Sequence, residues 1–357
     1  MAKLPVYLAY DDVLLLPNYS EVTPSKVNTE VRLTPKITLS SPILSATMDT
    51  VTESKMAIAM AKMGGYGVIH RNLSIEDEVA ELKKVQAENL HCGVAVGTGA
   101  DLHDRVKALV EAGAQEICID SAHGHTKHVM DAVRHIKETY PEVEVIAGNV
   151  ATYEGARDLF AAGADSVKVG MGPGSICTTR VMSGMGAPQL SAVIDCVRAG
   201  KEAGKTIIAD GGVRTSGDMT KAMAAGATAI MLGSMLAGTD EAPGEVIMVS
   251  GEKFKVYRGM GSVAAMQKGS ASRYGQDSNQ AAKKLVPEGV EALVPYKGSA
   301  EEIVYQMMGG LRAGMAYLGA NNLTELAEKA RFVKISEAGV LESKPHSIIQ
   351  TSKSFVS

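Results

Sequence analysis

No stretch of the chain is apolar for long enough to cross a bilayer, which excludes a helical membrane protein. No run of Lys and Arg is long enough to form a nucleic-acid footprint, and the formal net charge is -4. Cysteine is scarce: Cys92, Cys118, Cys177 and Cys196 are the only four, with no CxxC pair and no zinc spacing. That excludes a disulfide scaffold and fits a reducing compartment, so a cytoplasmic location is expected. The opening Met1-Ala2-Lys3-Leu4-Pro5-Val6 lacks the apolar centre of a signal peptide. A G-x-G-x-x-G turn after the first strand is also missing, which counts against an open, doubly wound sheet.

What is present is a repeated phrase. It reads Ala112-Gly-Ala-Gln-Glu-Ile-Cys-Ile-Asp120, Ala162-Gly-Ala-Asp-Ser-Val-Lys-Val-Gly170 and Ala225-Gly-Ala-Thr-Ala-Ile-Met-Leu-Gly233. Each is a helix end stopped by glycine, then a short apolar strand, then a special residue where the strand ends. Extending the pattern puts strand starts near Ile43, Tyr66, Gly93, Glu116, Val143, Ser166, Thr206 and Ala229. Helical periodicity fills the gaps, as in Ser54 to Met63, Ile75 to Val85, Leu102 to Ala112, Val129 to Ile136, Tyr153 to Phe160 and Gly217 to Ala225. Eight apolar strands alternating with helices predict a parallel (β/α)₈ TIM barrel, and residues 1–357 are read as one domain.

Two segments break the rhythm. The spacing from the sixth to the seventh strand is 40 residues, against 23 or 27 elsewhere. After the eighth strand, an insert of about 235–299 precedes a last helix, Ile303 to Leu318. It opens with a hairpin, Val246 to Tyr257 around Ser250-Gly251, and by composition its polar run from Gln267 to Lys284 reads equally as a mobile flap or as a disordered surface insertion.

The long gap contains Lys168-Val-Gly-Met-Gly-Pro-Gly-Ser-Ile-Cys-Thr-Thr-Arg180. Glycines let backbone N–H groups approach an anion, and Cys177 on such a loop near Arg180 is placed to act as a nucleophile. Cys92, Cys118 and Cys196 fall within strands or a helix and read as core residues. In a barrel the site lies at the C-terminal strand ends. Those positions are Met48-Asp49, His70-Arg71, Asp120 to His123, Gly148-Asn149, Gly170 onward, Asp210-Gly211-Gly212 and Gly233-Ser234. Glycines after the last two strands suit a phosphate, and Asp210 suits ribose hydroxyls, so a phosphorylated nucleoside or sugar is expected. Asp120 has a plainer alternative as a helix cap. His123, His125 and His128, at a helix start without a carboxylate partner, do not make a zinc site.

The segments Gly170 to Arg180, Ala209 to Gly212, Met231 to Ser234, Tyr257 to Ser262, Asp11 to Pro17 and Met48 to Glu53 together resemble the inosine 5′-monophosphate (IMP) dehydrogenases of the IMP dehydrogenase/GMP reductase superfamily. The resemblance covers essentially the whole chain. It implies that Cys177 attacks C2 of IMP, that NAD⁺ takes the hydride, and that the thioimidate is hydrolysed to xanthosine monophosphate (XMP). It implies phosphate contacts from Ser175, Gly212, Gly233, Ser234 and Tyr257, ribose contact from Asp210, and base contacts from Met260, Gly261 and Glu288. Met48, Gly211, Arg258 and Gly259 join them on the substrate side, while Asp120, Ser121, Asn149, Gly170, Met171 and Gly172 face the cofactor. The flap pair Arg273-Tyr274, with Thr179, is implied to activate water. A potassium ion is implied on the carbonyls of Gly172, Gly174 and Cys177, completed by Glu342, Ser343 and Lys344 of a neighbouring subunit, and a homotetramer with it.

The chain departs from the family pattern in three places. Val85 to Cys92 runs directly from helix to strand where the family usually inserts a CBS regulatory module. Lys344 stands where histidine is usual, and Gly275 where an aromatic commonly follows the Arg-Tyr pair. The rival within the superfamily is GMP reductase, which deaminates GMP with NADPH and typically lacks the CBS module. Arg273-Tyr274, the long insert and Leu285-Val-Pro-Glu-Gly289 favour the dehydrogenase over it. A non-catalytic nucleotide-binding barrel is the third alternative, and the presence of Cys177, Thr179 and Arg273 speaks against it.

Overall fold

The Ala-Gly-Ala phrase has a backbone cause. Gly113, Gly163 and Gly226 have φ of +93°, +116° and +99°, a left-handed turn that ends each helix and that a Cβ would disfavour. The alanines that follow, Ala114, Ala164 and Ala227, are buried and lead into a barrel strand. One local device therefore serves three times. The computed structural model of the protein describes residues 4–276 and 284–348.

The barrel strands are β1 (Ile43–Ser45), β2 (Tyr66–Ile69), β3 (Gly93–Val96), β4 (Glu116–Asp120), β5 (Glu144–Val150), β6 (Ser166–Val169), β7 (Thr206–Asp210) and β8 (Ala229–Leu232). All pair in parallel, and β8 closes onto β1. Seven strands start at the expected residue and the fifth starts one later. Every residue of β1 to β6 and of β8 is buried, as strands covered on both faces must be. The outer helices are α1 (Ser54–Lys62), α2 (Ile75–Ala87), α3 (Leu102–Glu111), α4 (Lys127–Thr139), α5 (Tyr153–Ala162), α6 (Gln189–Ala203), α7 (Ser216–Ala224) and α8 (Ala300–Leu318). Side-chain caps start several of them: Ser74 accepts from Asp77 N–H, Thr126 from Val129, Thr152 from Gly155, and Thr215 with Asp218 makes a capping box.

The chain ends are tied together by an antiparallel pair, Val13–Leu15 with Phe332–Lys334. A small hairpin, Val31–Arg32 with Thr38–Leu39, covers the N-terminal mouth of the barrel. There the Leu33 carbonyl accepts from Thr206, and Lys36 N–H donates to Glu144. The insert after β8 is a three-stranded antiparallel sheet: β9 (Ile247–Val249), β10 (Glu252–Arg258) and β11 (Glu291–Pro295). The β9–β10 turn is Ser250-Gly251 as expected, with both residues at positive φ. The third strand was not legible, being mostly exposed and ending on proline. Between β10 and β11, part of the expected mobile run is ordered: Val263–Gln267 and Ser270–Tyr274 are short helices, and Met266, Ala271 and Leu285 bury one another beneath Val263 and Tyr274. Residues 277–283 of that run lie outside the described residues.

Glu116, the first residue of β4, is fully buried at the barrel's N-terminal end near Glu144. Burial, and then the Glu144 charge, push its carboxyl well above the ordinary range. A raised carboxyl binds its proton more tightly folded than unfolded, so stability falls as pH rises above the unfolded value, by about 1.4 kcal/mol per pH unit until the folded value is reached. Glu116→Gln removes that dependence. The melting temperature of the variant should exceed the parent's at pH 8, with the gap shrinking towards pH 5.

Candidate active site

Strand β6 ends in the nucleophile loop, and its first turn is set by close approaches. A Cβ on Gly170 would lie 2.0 Å from the Asp210 carbonyl oxygen, and one on Gly172 would lie 2.5 Å from the Arg180 side chain. The loop is then stitched to the insert as an irregular strand. Val290 N–H donates to Ile176 (3.0 Å) and Thr178 N–H to Glu288 (3.0 Å). The same Glu288–Val290 segment is bonded to Gly259 (2.9 Å) and Gly261 (3.0 Å) on its other side. Cys177 is thereby held between the barrel and the insert, and its thiol donates to the Thr179 hydroxyl at 3.2 Å. It is the half-exposed thiol of the four. Burial pushes Cys118 up to about 12 and raises Cys92 and Cys196 further, which leaves those three unreactive. Arg180 lines the same cavity as the thiol, and its guanidinium donates to the Ala187 carbonyl at 2.6 Å.

Beneath the thiol lies a buried charge cluster. Lys168 points into the barrel from β6, 1% exposed, with Nζ 2.9 Å from Asp120 on β4 and 3.5 Å from Asp210 on β7. Arg273, from the insert, also pairs with Asp120. Asn149 joins from β5, where the pairing with β6 skips it between Gly148 and Val150, and this bulge redirects its side chain. Its amide donates to the Gly170 carbonyl (2.9 Å) and to Asp210 Oδ2 (2.8 Å), leaving Oδ1 without a partner among the described residues. Gln189 donates to the Val169 and Asp210 carbonyls, clamping the ends of β6 and β7.

Above the cluster is a cavity of about 500 Å³. Its wall brings together Met48, Ser121, Asn149, Gly170, Met171, Gly172, Gly174, Ser175, Cys177 and Thr179. Asp210, Gly211, Gly212, Gly233, Ser234, Tyr257, Gly259, Met260, Gly261, Arg273, Tyr274 and Glu288 also line it, while Asp120, Arg258, Glu342, Ser343 and Lys344 of the expected set do not. Gly211 and Gly212 have φ of +91° and +80°, and a Cβ on Gly233 would lie 2.7 Å from the Tyr257 hydroxyl. This is a cradle of backbone N–H groups closed by a phenol, suited to an anion. Burial raises the Tyr257 hydroxyl, opposed by the neighbouring Ser175, so it remains a donor.

Other expectations need correction. Asp120 is not a helix cap: Thr126 caps α4, and Asp120 lies under the cavity floor rather than in its wall. Arg258 does not reach the cavity; it grips Asp49 (2.6 and 3.0 Å) with Glu291 at 3.7 Å, fastening β10 to the loop after β1. Glu342, Ser343 and Lys344, expected to act from a neighbouring subunit, need no such correction: they are exposed at the end of a C-terminal helix (Glu337–Glu342), away from this chain's own cavity wall. His125 does have a carboxylate partner, Asp158 at 2.9 Å, yet no three metal-ligating side chains converge among the described residues.

Sequence reasoning missed Tyr10, Asp11, Gln189 and Arg214 in the wall, and Lys168 beneath it. A charged residue inside an otherwise apolar strand was the available signal for Lys168. Removing one member of a buried ion pair costs about 3–5 kcal/mol. Lys168→Met should therefore lower the urea unfolding midpoint strongly, and Lys168→Met with Asp120→Asn should recover part of the loss.

A closed parallel barrel with a loop-borne cysteine and a glycine-lined anion cradle at its C-terminal face defines a (β/α)₈-barrel enzyme. The chain belongs to the IMP dehydrogenase/GMP reductase family, whose domain matches residues 7–346. It is 41% identical over 475 positions to an inosine-5′-monophosphate dehydrogenase of Bacillus subtilis, covering 97% of each protein. It is 40% identical over 474 positions to proteins of that name from Staphylococcus epidermidis and Staphylococcus aureus, again with 97% of each covered. The first alignment is 118 positions longer than the chain, 475 against 357, so the relative carries segments that this chain lacks. Helix α2 reaches β3 here through Glu88–Cys92 alone. Among the described residues no helix is long and apolar enough to cross a membrane.

Proposed function

We propose that the protein is a cytoplasmic IMP dehydrogenase, oxidising IMP to XMP with NAD⁺ and water. One observation carries the reading: the Cys177 thiol, the glycine–tyrosine anion cradle and the Arg273-Tyr274 pair face one cavity. The phosphate would lie against Ser175, Gly212, Gly233, Ser234 and Tyr257, and the ribose hydroxyls would donate to Asp210. Gly211, Met48, Gly259, Met260, Gly261 and Glu288 would surround the base, which places C2 beside Cys177. The Cys177 sulfur bonds to C2 as the thiol proton passes to solvent, the C2 hydride departs to the bound acceptor, and the purine is left as a thioimidate. Water then adds at C2, the C–S bond breaks, and XMP leaves with the thiol restored.

NAD⁺ when bound supplies the hydride acceptor. The unpartnered Asn149 Oδ1 fits a carboxamide donor, with Ser121, Gly170, Met171 and Gly172 in the adjoining wall and Asp120 below. Thr179 and Tyr274 would hold the water and Arg273 would polarise it. A guanidinium ordinarily keeps its proton, so the positioning of that water carries much of the step.

A potassium ion on the carbonyls of Gly172, Gly174 and Cys177 needs further ligands. The Gly174 carbonyl already accepts from Cys177 N–H at 3.1 Å, and three carbonyls fall short of a hard cation's shell. Glu342, Ser343 and Lys344 of a neighbouring subunit would complete it in a homotetramer. Apolar Val181, Met182 and Met185, exposed just after the nucleophile loop, suit such a neighbour. Residues 1–357 would act as a single catalytic domain, without a CBS module in the α2–β3 link.

GMP reductase is the second reading, since the family includes it. The Arg273-Tyr274 pair in the cavity wall favours the dehydrogenase. IMP with NAD⁺ should produce NADH, while GMP should consume no NADPH; the reverse pattern would establish the reductase. Cys177→Ala should keep IMP binding and lose turnover by more than a thousandfold, on the order expected for a missing nucleophile. Arg273→Ala should keep a single-turnover burst of NADH and slow the steady state, because only hydrolysis uses the flap. Loss of the burst as well would overturn the division of labour.

A further inference from the structure

The outer faces of α3 and α4 carry two histidines that meet. His103 Nδ1 lies 2.7 Å from His135 Nε2, and the rings stand edge to face, 4.2 Å between centroids at 88°. Two imidazole nitrogens this close must share one proton, with one ring donating and the other accepting. Behind the pair, Thr139, one turn along α4, places its hydroxyl 3.4 Å from His135 Nδ1. That hydroxyl can accept a proton carried on His135 Nδ1, which is the form whose Nε2 lone pair faces His103.

We propose that His103 and His135 form a two-histidine site for a divalent transition-metal ion, clipping α3 to α4 on the barrel's outer surface. The chemistry is a borderline cation taking two neutral imidazoles, with water filling the remaining positions. With metal–nitrogen bonds of about 2.0–2.1 Å, two ligand nitrogens stand about 2.9 Å apart at a right angle and about 3.3 Å apart at a tetrahedral one. The present separation is shorter by a few tenths of an ångström, so small side-chain rotations bring both lone pairs onto one point. His103 is exposed and His135 half-buried, so both rings have room for that movement.

On binding, His103 gives up its Nδ1 proton to solvent and takes one at Nε2. His135 keeps its Nδ1 proton towards Thr139, the outer hydrogen bond that orients a metal-bound histidine. No third His, Cys, Asp or Glu joins the pair among the described residues, which sets the expected affinity at the micromolar scale rather than that of a structural zinc site. The pair lies on helices rather than in the cavity wall, so the site is separate from catalysis.

The test is calorimetric titration of the full chain with nickel(II) and zinc(II) at pH 7.5, alongside melting curves with and without metal. One site with a dissociation constant of roughly 1–100 μM is expected, raising the melting temperature through binding to the folded form alone. His103→Ala and His135→Ala should each weaken it at least tenfold, and Thr139→Val should weaken it less. His128→Ala, at another exposed histidine of α4, and Cys177→Ala should leave the site intact. An isotherm unchanged in His103→Ala and His135→Ala, or no binding at millimolar metal, would overturn the proposal.

Discussion

One buried ammonium holds the catalytic end of the barrel together. Lys168 stands inside the barrel between the carboxylates that end β4 and β7, and little around it besides those carboxylates can offset its charge. Burying an unpaired charge costs several kcal/mol, so the lysine and its two aspartates stand or fall together. That requirement fixes how far apart Asp120 and Asp210 sit. It also sets the floor of a cavity whose wall carries Asp210 on one side and, through Asp120, Arg273 on the other. Asn149 and Gln189 extend the same restraint to β5 and to the start of α6.

The second constraint is the seam along Glu288–Val290. This short segment bonds to the nucleophile loop on one side and to Gly259–Gly261 on the other, so Cys177 cannot move independently of the insert. Tyr274 packs where a Cβ on Gly261 would lie within 2.8 Å of its ring, and this ties the flap pair to the same seam. Thiol, substrate wall and flap thus form one connected unit, built from segments more than 100 residues apart. Arg258, gripping Asp49, anchors that unit to the barrel instead of reaching into the cavity.

Legibility in the sequence followed how local each cause was. The barrel was readable because a left-handed glycine and an apolar tetrad act within ten residues, and the device recurs at Gly113, Gly163 and Gly226. The cavity wall was readable because strand ends converge in any such barrel, so that Asp210, Gly212 and Gly233 could be placed before their contacts were known. Arg258 was misplaced because its partner Asp49 is 209 positions distant. The third strand of the insert is not legible because an exposed edge carries no apolar alternation. Lys168, Tyr10 and Gln189 were passed over because each does its work through tertiary contacts with other strands or with the amino-terminal segment.

The charge count of the cluster bears on the proposed chemistry. With Arg273 docked, two cations face two carboxylates, and the floor of the cavity is neutral. Withdrawing the arginine leaves Lys168 with Asp120 and Asp210, one negative charge in excess, in a setting where water screens poorly. An excess negative charge attracts a cationic ring and is indifferent to a neutral one. An oxidised nicotinamide is cationic and a reduced one is not. Hydride transfer would therefore remove the attraction that holds the arginine out, and the cluster would regain neutrality by taking it back. Oxidation precedes hydrolysis because the thioimidate must form before water can consume it, and charge balance around Asp120 would favour the return of Arg273 between the two steps.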